Sequence, residues 1–229
     1  MTAQEPYPAA ELTSAPHLAA TRTFYDTIAS DYAQMFRTVL EDRPLDRAIL
    51  GAFAEGVLAA GGGPVVELGC GPGRVTAHLH GLGLAVHGVD LSPRMVELAR
   101  AEHPEVRYEV GTLTAVDAPD GSLAALVAWY SLIHTPRELL PGVFAEFHRV
   151  LAPGGHLLAA FQVGDEPLHL ANPFGHEVAL DFNRLAPDHI AALLAEAGFT
   201  VTSRLRREPE GREAVPQAYL LAVKGSAGG

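Results

Sequence analysis

A glycine-rich turn in the first third of the chain has the residue types and spacing of a loop that holds a cofactor. The stretch from Val65 to Leu79 reads VVELGCGPGRVTAHL, in which Gly69, Gly71 and Gly73 separate a short apolar run from a stretch of helical character. Glycine lets the backbone adopt conformations, and approach a ligand, that a side chain would block. A dinucleotide-binding turn has the pattern G-x-G-x-x-G, and counting from Gly69 puts Arg74 where its third glycine belongs. The pattern therefore argues against NAD.

Two carboxylates flank this turn and narrow the kind of ligand further. Glu67 immediately precedes the loop, where it would repel a pyrophosphate and attract a cation. Asp90 ends the next strand-like segment, where an acidic side chain can accept hydrogen bonds from both hydroxyls of a ribose. Ser92 as a helix N-cap and Pro93 in the first helical turn hold Asp90 in place. The spacing predicts a cationic nucleoside without phosphate as the ligand.

Strand-like and helical segments alternate from Val65 onward, and this alternation predicts how the two acids are positioned. The strand-like segments are VVEL, AVHGVD, VRYEV, AALVAW and HLLAAFQV, with helical segments between most of them. Such alternation is typical of an α/β fold with a doubly wound, mostly parallel sheet. The last two strands, about Thr200–Leu205 and Gln217–Val223, follow one another and predict an antiparallel hairpin. In such sheets ligands bind at the carboxyl ends of the strands, where the turn and Asp90 lie.

The length of 229 residues suits one domain with a sizeable core. We expect a flexible tail over residues 1–20, a single domain over 21–224 and a second flexible tail over 225–229. Within the domain, residues 21–60 form a helical cap, because FYDTIASDYAQMFRTVL and the apolar spacing that follows it have helical periodicity. Residues 65–224 form the Rossmann-like core.

Composition excludes several classes of partner. The formal net charge is -11, which disfavours nucleic acid and anionic membrane surfaces. The one cysteine, Cys70, allows neither an internal disulfide nor a multi-cysteine zinc site. No run of roughly 18 apolar residues that would span a bilayer is present, and the N-terminus lacks the pattern of a signal peptide. We therefore expect a cytoplasmic protein, either a monomer or a homodimer, that binds small molecules.

Three motifs together resemble a known family. VVELGCGPGRVTAHL, VHGVDLSPRMVELAR and LAPGGHLLAAF are similar, in order and spacing, to motifs of the class I (Rossmann-like) S-adenosylmethionine-dependent methyltransferases of small-molecule type. The resemblance covers about Phe24 to Lys224. It implies a seven-stranded sheet of order 3-2-1-4-5-7-6 with strand 7 antiparallel. It also implies S-adenosyl-L-methionine as cofactor and S-adenosyl-L-homocysteine as product.

The resemblance also implies which residues contact the cofactor. Glu67 and the loop from Gly69 to Gly73 would hold the methionine part, Asp90 the ribose hydroxyls, and Leu91 and Met95 the adenine. The complete set is Tyr25, Tyr32, Glu67, Gly69, Cys70, Gly71, Gly73, Asp90, Leu91, Met95, Thr112, Leu113 and Tyr130.

Two parts of this set lie outside the three motifs: the segment after the third strand and the N-terminal helix. Many family members carry GDA after the third strand, whereas this chain has Gly111-Thr112-Leu113, so that adenine would rely on backbone, a hydroxyl and apolar contacts. The N-terminal segment resembles a helix that covers the cofactor in many small-molecule members. Tyr25 and Tyr32 would reach the methionine end from that helix, although both could equally be packing residues.

The methyl acceptor is predicted to lie beyond the fourth strand. Members that methylate exocyclic amines of nucleic acid bases carry an Asp/Asn-Pro-Pro-aromatic motif there, and this chain has Trp129-Tyr130-Ser131-Leu132 instead. His134 is the candidate catalytic base, because a neutral imidazole can take a hydroxyl proton near pH ~7. A histidine at this point is also common across the superfamily without that role. The predicted substrate-binding residues are Tyr130, His134, Phe161, Gln162, His176 and Phe182, several of them in a long link from Phe161 to Arg184.

No metal is expected, since His169, His176, Glu177 and Asp181 do not have the spacing of a compact ligand set. We expect methyl transfer to oxygen, nitrogen or carbon of a compact acceptor, with oxygen favoured. The alternatives are a relative that binds the cofactor and catalyses another reaction, such as a cyclisation, and a non-catalytic module that binds the cofactor for a partner protein. A nicotinamide oxidoreductase is a more distant alternative. The glycine turn does not discriminate among the first three, because each of them needs the same cofactor site.

Overall fold

The structure is a computed structural model that describes residues 16–225. Of the predicted N-terminal tail, residues 1–15 lie outside the described part, whereas residues 16–20 already belong to a helix. Of the predicted C-terminal tail, residues 226–229 lie outside it. Among residues 16–225, no helix is both long and apolar enough to cross a membrane.

A seven-stranded sheet forms the centre of the molecule, and its order is β3-β2-β1-β4-β5-β9-β8. Strands β1 to β5 pair in parallel, and β9 is antiparallel to both of its neighbours, β5 and β8. Because β8 and β9 are the sixth and seventh strands of this sheet along the chain, this is the predicted order 3-2-1-4-5-7-6. The predicted α/β fold and strand order are thus confirmed. The strands of this sheet are β1 (Pro64–Leu68), β2 (Ala85–Asp90), β3 (Tyr108–Val110), β4 (Leu123–Trp129), β5 (Leu151–Gln162), β8 (Phe199–Arg207) and β9 (Gln217–Lys224).

Helices cover both faces of the sheet, which explains the apolar composition of its central strands. In β1 and β4 nearly every residue is buried, as expected for parallel strands packed on both sides. One face carries Phe144 and Phe147 of α5 together with Ile190 of α6, and the other carries Phe53 of α2 and Leu79 of α3. The helices are α1 (Pro16–Met35), α2 (Pro44–Ala59), α3 (Arg74–Gly81), α4 (Pro93–Glu102), α5 (Leu140–Val150) and α6 (Pro187–Glu196).

The long link after β5 contains structure that the sequence pattern did not indicate. Strands β6 (Leu168–Ala171) and β7 (Ala179–Phe182) form a separate antiparallel hairpin between β5 and α6. The hairpin packs against α1, where the Phe24 and Phe182 rings meet edge to face at 5.9 Å. The N-terminal helix is thereby held over the carboxyl ends of the parallel strands, where the candidate site lies.

Candidate active site

The glycine turn leaves the carboxyl end of β1 with three residues in the left-handed region. Gly69, Gly71 and Gly73 have φ values of 77°, 54° and 86°. A Cβ on Gly69 would lie 2.4 Å from Cβ of Ser131, so that glycine allows the turn to pack against the segment after β4. A Cβ on Gly71 would have no atom within 4 Å, and Gly71 lines a cavity. The turn therefore offers open space beside its backbone to a ligand.

Asp90 joins the turn to the end of β2. Its Oδ2 accepts a hydrogen bond from the Gly71 amide at 2.7 Å, and its Oδ1 accepts one from the Ser92 amide at 2.9 Å. Burial raises the pKa of Asp90 to about 6, against these backbone hydrogen bonds, which favour its ionised form. Ser92 caps α4 by accepting from the Met95 amide at 3.1 Å. Asp90 is thus a rigidly held carboxylate on the cavity wall.

Glu67 is 2% exposed and lies on the same wall. Its carboxyl group accepts a hydrogen bond from the Thr76 hydroxyl. Burial raises the pKa of Glu67 to about 8, more than the Thr76 hydrogen bond and the nearby Arg74 lower it. A cation placed in the cavity would stabilise the ionised form of this buried group. The site is therefore suited to a positively charged ligand.

One end of the cavity is mainly apolar. Leu91, Met95 and Leu113 line it, and Met95 is almost fully buried. The Thr112 hydroxyl also lines it and forms a 2.9 Å hydrogen bond with the Thr114 hydroxyl. A flat ring could pack between these side chains, with the Thr112 hydroxyl as its polar neighbour.

The cap helix α1 brings aromatic side chains to the other side of the cavity. The Tyr25 hydroxyl lies 2.8 Å from Nε2 of His134, and the Tyr25 ring meets that of Tyr32 edge to face at 5.7 Å. The rings of His134 and Phe182 are 4.9 Å apart. Burial lowers the pKa of His134 to about 3, so its imidazole is neutral at physiological pH. The group is a neutral imidazole joined to a phenol within an aromatic enclosure.

Arg74 has a function in the structure that the glycine pattern did not indicate. Its guanidinium carbon lies 5.8 Å from the ring centroid of Tyr32 and 5.6 Å from that of Phe36. Both rings belong to the cap region, whereas Arg74 begins α3 directly after the turn. The residue that replaces the third glycine of a dinucleotide motif therefore connects the turn to the cap through cation–π contacts.

The far end of the cavity is polar and was missed by the sequence analysis. Arg43, Asp46, Glu213 and Gln217 line it. Asp46 accepts a 2.6 Å hydrogen bond from the Tyr219 hydroxyl, although the two residues are 173 positions apart in the chain. No local sequence pattern carries this information, because Asp46 has the ordinary position of an acid in the first turn of a helix.

Tyr130 connects the aromatic and polar sides. It directly follows β4 and has φ of 59°, a left-handed conformation that costs a tyrosine roughly 1–3 kcal/mol. Its amide donates to the Ala160 carbonyl at 2.9 Å, and its hydroxyl lies 3.3 Å from that of Tyr219. Strain of this kind at a cavity wall is a sign of a functional position.

One cavity of about 290 Å³ contains most of the predicted site residues. Those that line it are Tyr25, Tyr32, Glu67, Gly69, Cys70, Gly71, Asp90, Leu91, Met95, Thr112, Leu113, Tyr130, His134, Gln162 and Phe182.

Three predicted residues do not line it. Gly73 packs against Tyr108, whose hydroxyl a Cβ on this glycine would approach to 2.6 Å. Phe161 is fully buried in the core between the sheet and its helices. His176 lies on the surface of the β6–β7 link, where its Nε2 is 2.9 Å from a carboxylate oxygen of Asp31 in α1. Gly73 therefore allows close packing of the turn, Phe161 belongs to the core, and His176 attaches the β6–β7 link to the cap helix.

The histidines of the link are not arranged around a common point. His169 pairs with Asp181 across the β6–β7 hairpin at 2.7 Å, and both side chains are exposed. Within the described residues, no three His, Cys, Asp or Glu side chains are grouped as a metal site requires.

Comparison with known proteins agrees with this architecture. Residues 65–155 match a family model described as a methyltransferase domain. An uncharacterized methyltransferase of Mycobacterium bovis is 32% identical over 128 residues, which is 55% of this chain and 50% of that protein. A malonyl-[acyl-carrier protein] O-methyltransferase of Erwinia billingiae is 29% identical over 149 residues, 61% of this chain and 59% of that protein. The chain thus spans about half the length of the first of these relatives and somewhat more of the second.

A solved structure extends the similarity to nearly the whole chain. The 1,6-didemethyltoxoflavin-N1-methyltransferase of Burkholderia thailandensis, with bound 1,6-didemethyltoxoflavin and S-adenosylhomocysteine, has a TM-score of 0.68 and 21% identity. The alignment covers 99% of this chain and 94% of that one. At this identity the likeness concerns the fold. Residues 65–155 are thus similar to a methyltransferase domain, and the strand order and the glycine turn agree with a Rossmann-like fold of that kind.

Proposed function

We propose that this protein transfers the methyl group of S-adenosylmethionine to a small, partly apolar acceptor, with oxygen as the preferred methylated atom. The observation that carries the proposal is the continuity of the cavity. It joins the Gly71 turn and Asp90 to an enclosure formed by Tyr25, His134 and Phe182. Donor and acceptor would therefore meet in one compartment.

The chain's own residues fit the cofactor. Gly71 leaves space beside the turn, Glu67 suits a cation, and the carboxylate of Asp90 can accept from ribose hydroxyls. When bound, the cofactor supplies an electrophilic methyl group on a sulfonium. Methyl transfer removes charge from the sulfonium, so the protein mainly has to align the acceptor and exclude water.

The cap residues perform these two tasks. Tyr25, Tyr32 and Phe182 line the cavity and make edge-to-face aromatic contacts, so they place apolar surface around the space in front of the turn, which disfavours water there. Arg74 holds the cap ring of Tyr32 against the turn. An acceptor in this enclosure is confined between the cap and the end of β4, and confinement in an attacking orientation supplies a large part of the rate enhancement.

For a hydroxyl acceptor, the Tyr25–His134 pair provides a path for the proton. As the bond from oxygen to the methyl carbon forms, the acceptor proton would move to the Tyr25 oxygen while the Tyr25 proton moves to Nε2 of His134. The positive charge lost at the sulfonium would then reappear on the imidazole. This exchange offsets the desolvation that lowers the pKa of His134. His134 would therefore act through Tyr25.

Two measurements test the proposal. Isothermal titration calorimetry should detect binding of S-adenosylmethionine and S-adenosylhomocysteine, and no binding of NAD. Formation of S-adenosylhomocysteine should then be measured against phenols, sugars, amines and keto acids. Turnover with a member of the panel supports methyl transfer. Binding without any turnover favours the non-catalytic or non-methylating alternatives, and binding of NAD alone contradicts the proposal.

A further inference from the structure

The polar end of the cavity is a built surface that the proposed methyl transfer does not use. We call it the polar wall and define it by Arg43, Asp46, Tyr130, Glu213 and Gln217, all of which line the cavity. Tyr219 and Arg207 lie directly behind it and are buried. The hydrogen bonds within this wall determine which chemical groups it can bind.

The hydroxyl protons of Tyr130 and of Tyr219 behind it are both used in hydrogen bonds within the protein. Tyr219 has one proton and donates it to Oδ1 of Asp46 at 2.6 Å. Its oxygen lies 3.3 Å from the Tyr130 hydroxyl, so Tyr130 must be the donor in that contact. The Tyr130 oxygen then has only lone pairs left for a ligand. Tyr130 therefore serves as an acceptor, although a tyrosine can do either.

Two further acceptors complete the wall. Oδ2 of Asp46 has no hydrogen-bond partner among residues 16–225, and this oxygen is not sealed from solvent. The side-chain nitrogen of Gln217 donates to the Val215 carbonyl at 2.7 Å, which leaves its Oε1 free to accept. A ligand group that satisfies the wall must therefore donate hydrogen bonds.

The charge balance favours a cation. The two guanidinium groups of the network are already engaged with Glu213: Arg207 at 2.7 and 2.8 Å, and Arg43 at 3.5 Å. Arg43 also pairs with Glu210 at 2.5 Å. Among the described residues, two cations of this network thus face three carboxylates. Asp46 has the longest ion pair of the three, with its Oδ1 3.9 Å from Nε of Arg207. Burial raises the pKa of Asp46 above its ordinary value, which marks a carboxylate that a cation would stabilise.

We propose that the methyl acceptor carries, apart from the methylated atom, a protonated amine that binds the polar wall between Asp46 and Tyr130. An ammonium group has three donors and no acceptor, which matches the acceptor oxygens of the wall. The adjacent rings of Trp129 and Tyr130, 5.7 Å apart, add aromatic surface next to the charge. The left-handed backbone conformation of Tyr130 places this residue between the aromatic and the polar sides of the cavity. The inference rests on the proposed function and narrows its substrate class.

The test uses three phenols that differ only in the group at the end of a two-carbon arm: tyramine with an ammonium, tyrosol with a hydroxyl and phloretic acid with a carboxylate. Each is titrated by calorimetry into the full-length protein saturated with S-adenosylhomocysteine. We expect the affinity order tyramine, tyrosol, phloretic acid. In Asp46→Asn the affinity for tyramine should fall at least about tenfold, whereas that for tyrosol should change little.

Glu210→Gln is the matched control, because it removes one carboxylate from the same network at a residue that does not line the cavity. It should leave the preference for tyramine intact. The proposal is overturned if tyramine does not bind, if phloretic acid binds as tightly, or if both variants reduce tyramine affinity equally. Binding of S-adenosylhomocysteine to each variant is measured first. If the wild type fails that step the proposed function fails, whereas normal cofactor binding without a tyramine preference contradicts only the inference.

Discussion

Glu67 shows how one buried side chain links the pH to ligand binding. The protonated carboxyl is the stable form below about pH 8 in the unliganded protein, because burial raises its pKa from the ordinary value of 4.5. The folded state therefore binds more protons than the unfolded chain between these two values. The free energy of unfolding contributed by Glu67 consequently falls as the pH rises from about 4.5 to about 8.

Cofactor binding should release the Glu67 proton. A cationic ligand lowers the pKa of the carboxyl, so at pH 7 we expect S-adenosylmethionine to bind with release of up to one proton. Asp90, whose pKa burial raises only to about 6, is mostly ionised at that pH and contributes little. Calorimetry in two buffers of different ionisation enthalpy measures the release. Glu67→Gln should abolish it, and an unchanged release in this variant would contradict the assignment.

His134 and Tyr25 should affect turnover more than binding. For a hydroxyl acceptor, His134→Gln and Tyr25→Phe should each lower kcat by about 10²-fold or more, the usual contribution of a positioned acid or base. Because burial keeps the pKa of His134 at about 3, the pH profile of kcat should have no limb near pH 6.5 from this residue. Turnover and a pH profile that survive His134→Gln would exclude the proton path. A strong effect on KM alone would assign the pair to acceptor packing.

At the scale of elements, the cap is attached to the cofactor half through a few contacts with α1. Asp26 accepts from the Ser92 hydroxyl at 2.6 Å and from the Arg94 amide at 3.2 Å, so the cap helix contacts the N-terminus of α4 beside Asp90. Arg74 provides the second attachment, through Tyr32 and Phe36. Opening of the cap must break both contacts, and both adjoin the cofactor site.

Weakening the Arg74 attachment should shorten the residence time of the product. The two cation–π contacts contribute about 0.5–2 kcal/mol, so Arg74→Gln should raise the dissociation rate of S-adenosylhomocysteine by about 2–30-fold. Arg204→Gln is the matched control, because Arg204 is exposed and pairs with Asp188 at 2.9 Å, outside both the cavity and the cap. Stopped-flow displacement measures both rates. Equal rates in the two variants would contradict a role for Arg74 in closure.

The length and burial of the strands explain which of them the sequence could predict. The parallel strands were identifiable because β1 and β4 are buried on both faces and read as apolar runs. The β6–β7 hairpin was missed because each strand has only four residues and is largely exposed, so neither has a recognisable period. Its short strands pair with each other and with no strand of the main sheet.

For the whole molecule, the two halves of the site differ in how they are encoded. The predicted cofactor half depends on residues at the ends of successive strands, so local motifs predict Glu67, Gly71 and Asp90, and all three line the cavity. The polar wall is assembled from α2 and from β9 with its preceding loop, which meet only in the folded chain. A single sequence carries no signal for such a contact. The contact of His176 with Asp31 is also formed only in the folded chain. The sequence therefore did not show that His176 lies on the surface and not in the site.

Because this site connects the cap, the glycine turn and the sheet, its ligand should stabilise the molecule as a whole. At a concentration of 100 times Kd, a ligand that binds only the folded state adds about 2.7 kcal/mol. For a chain of this length, each kcal/mol raises Tm by about 2–4 °C, so S-adenosylhomocysteine should raise Tm by about 5–10 °C. In Asp90→Asn the increase should shrink at the same ligand concentration, since the ribose loses a charged hydrogen-bond acceptor. Asp188→Asn, whose side chain is 96% exposed on α6, should keep the full increase. Scanning calorimetry measures these shifts, and equal increases in the two variants would remove Asp90 from the cofactor site.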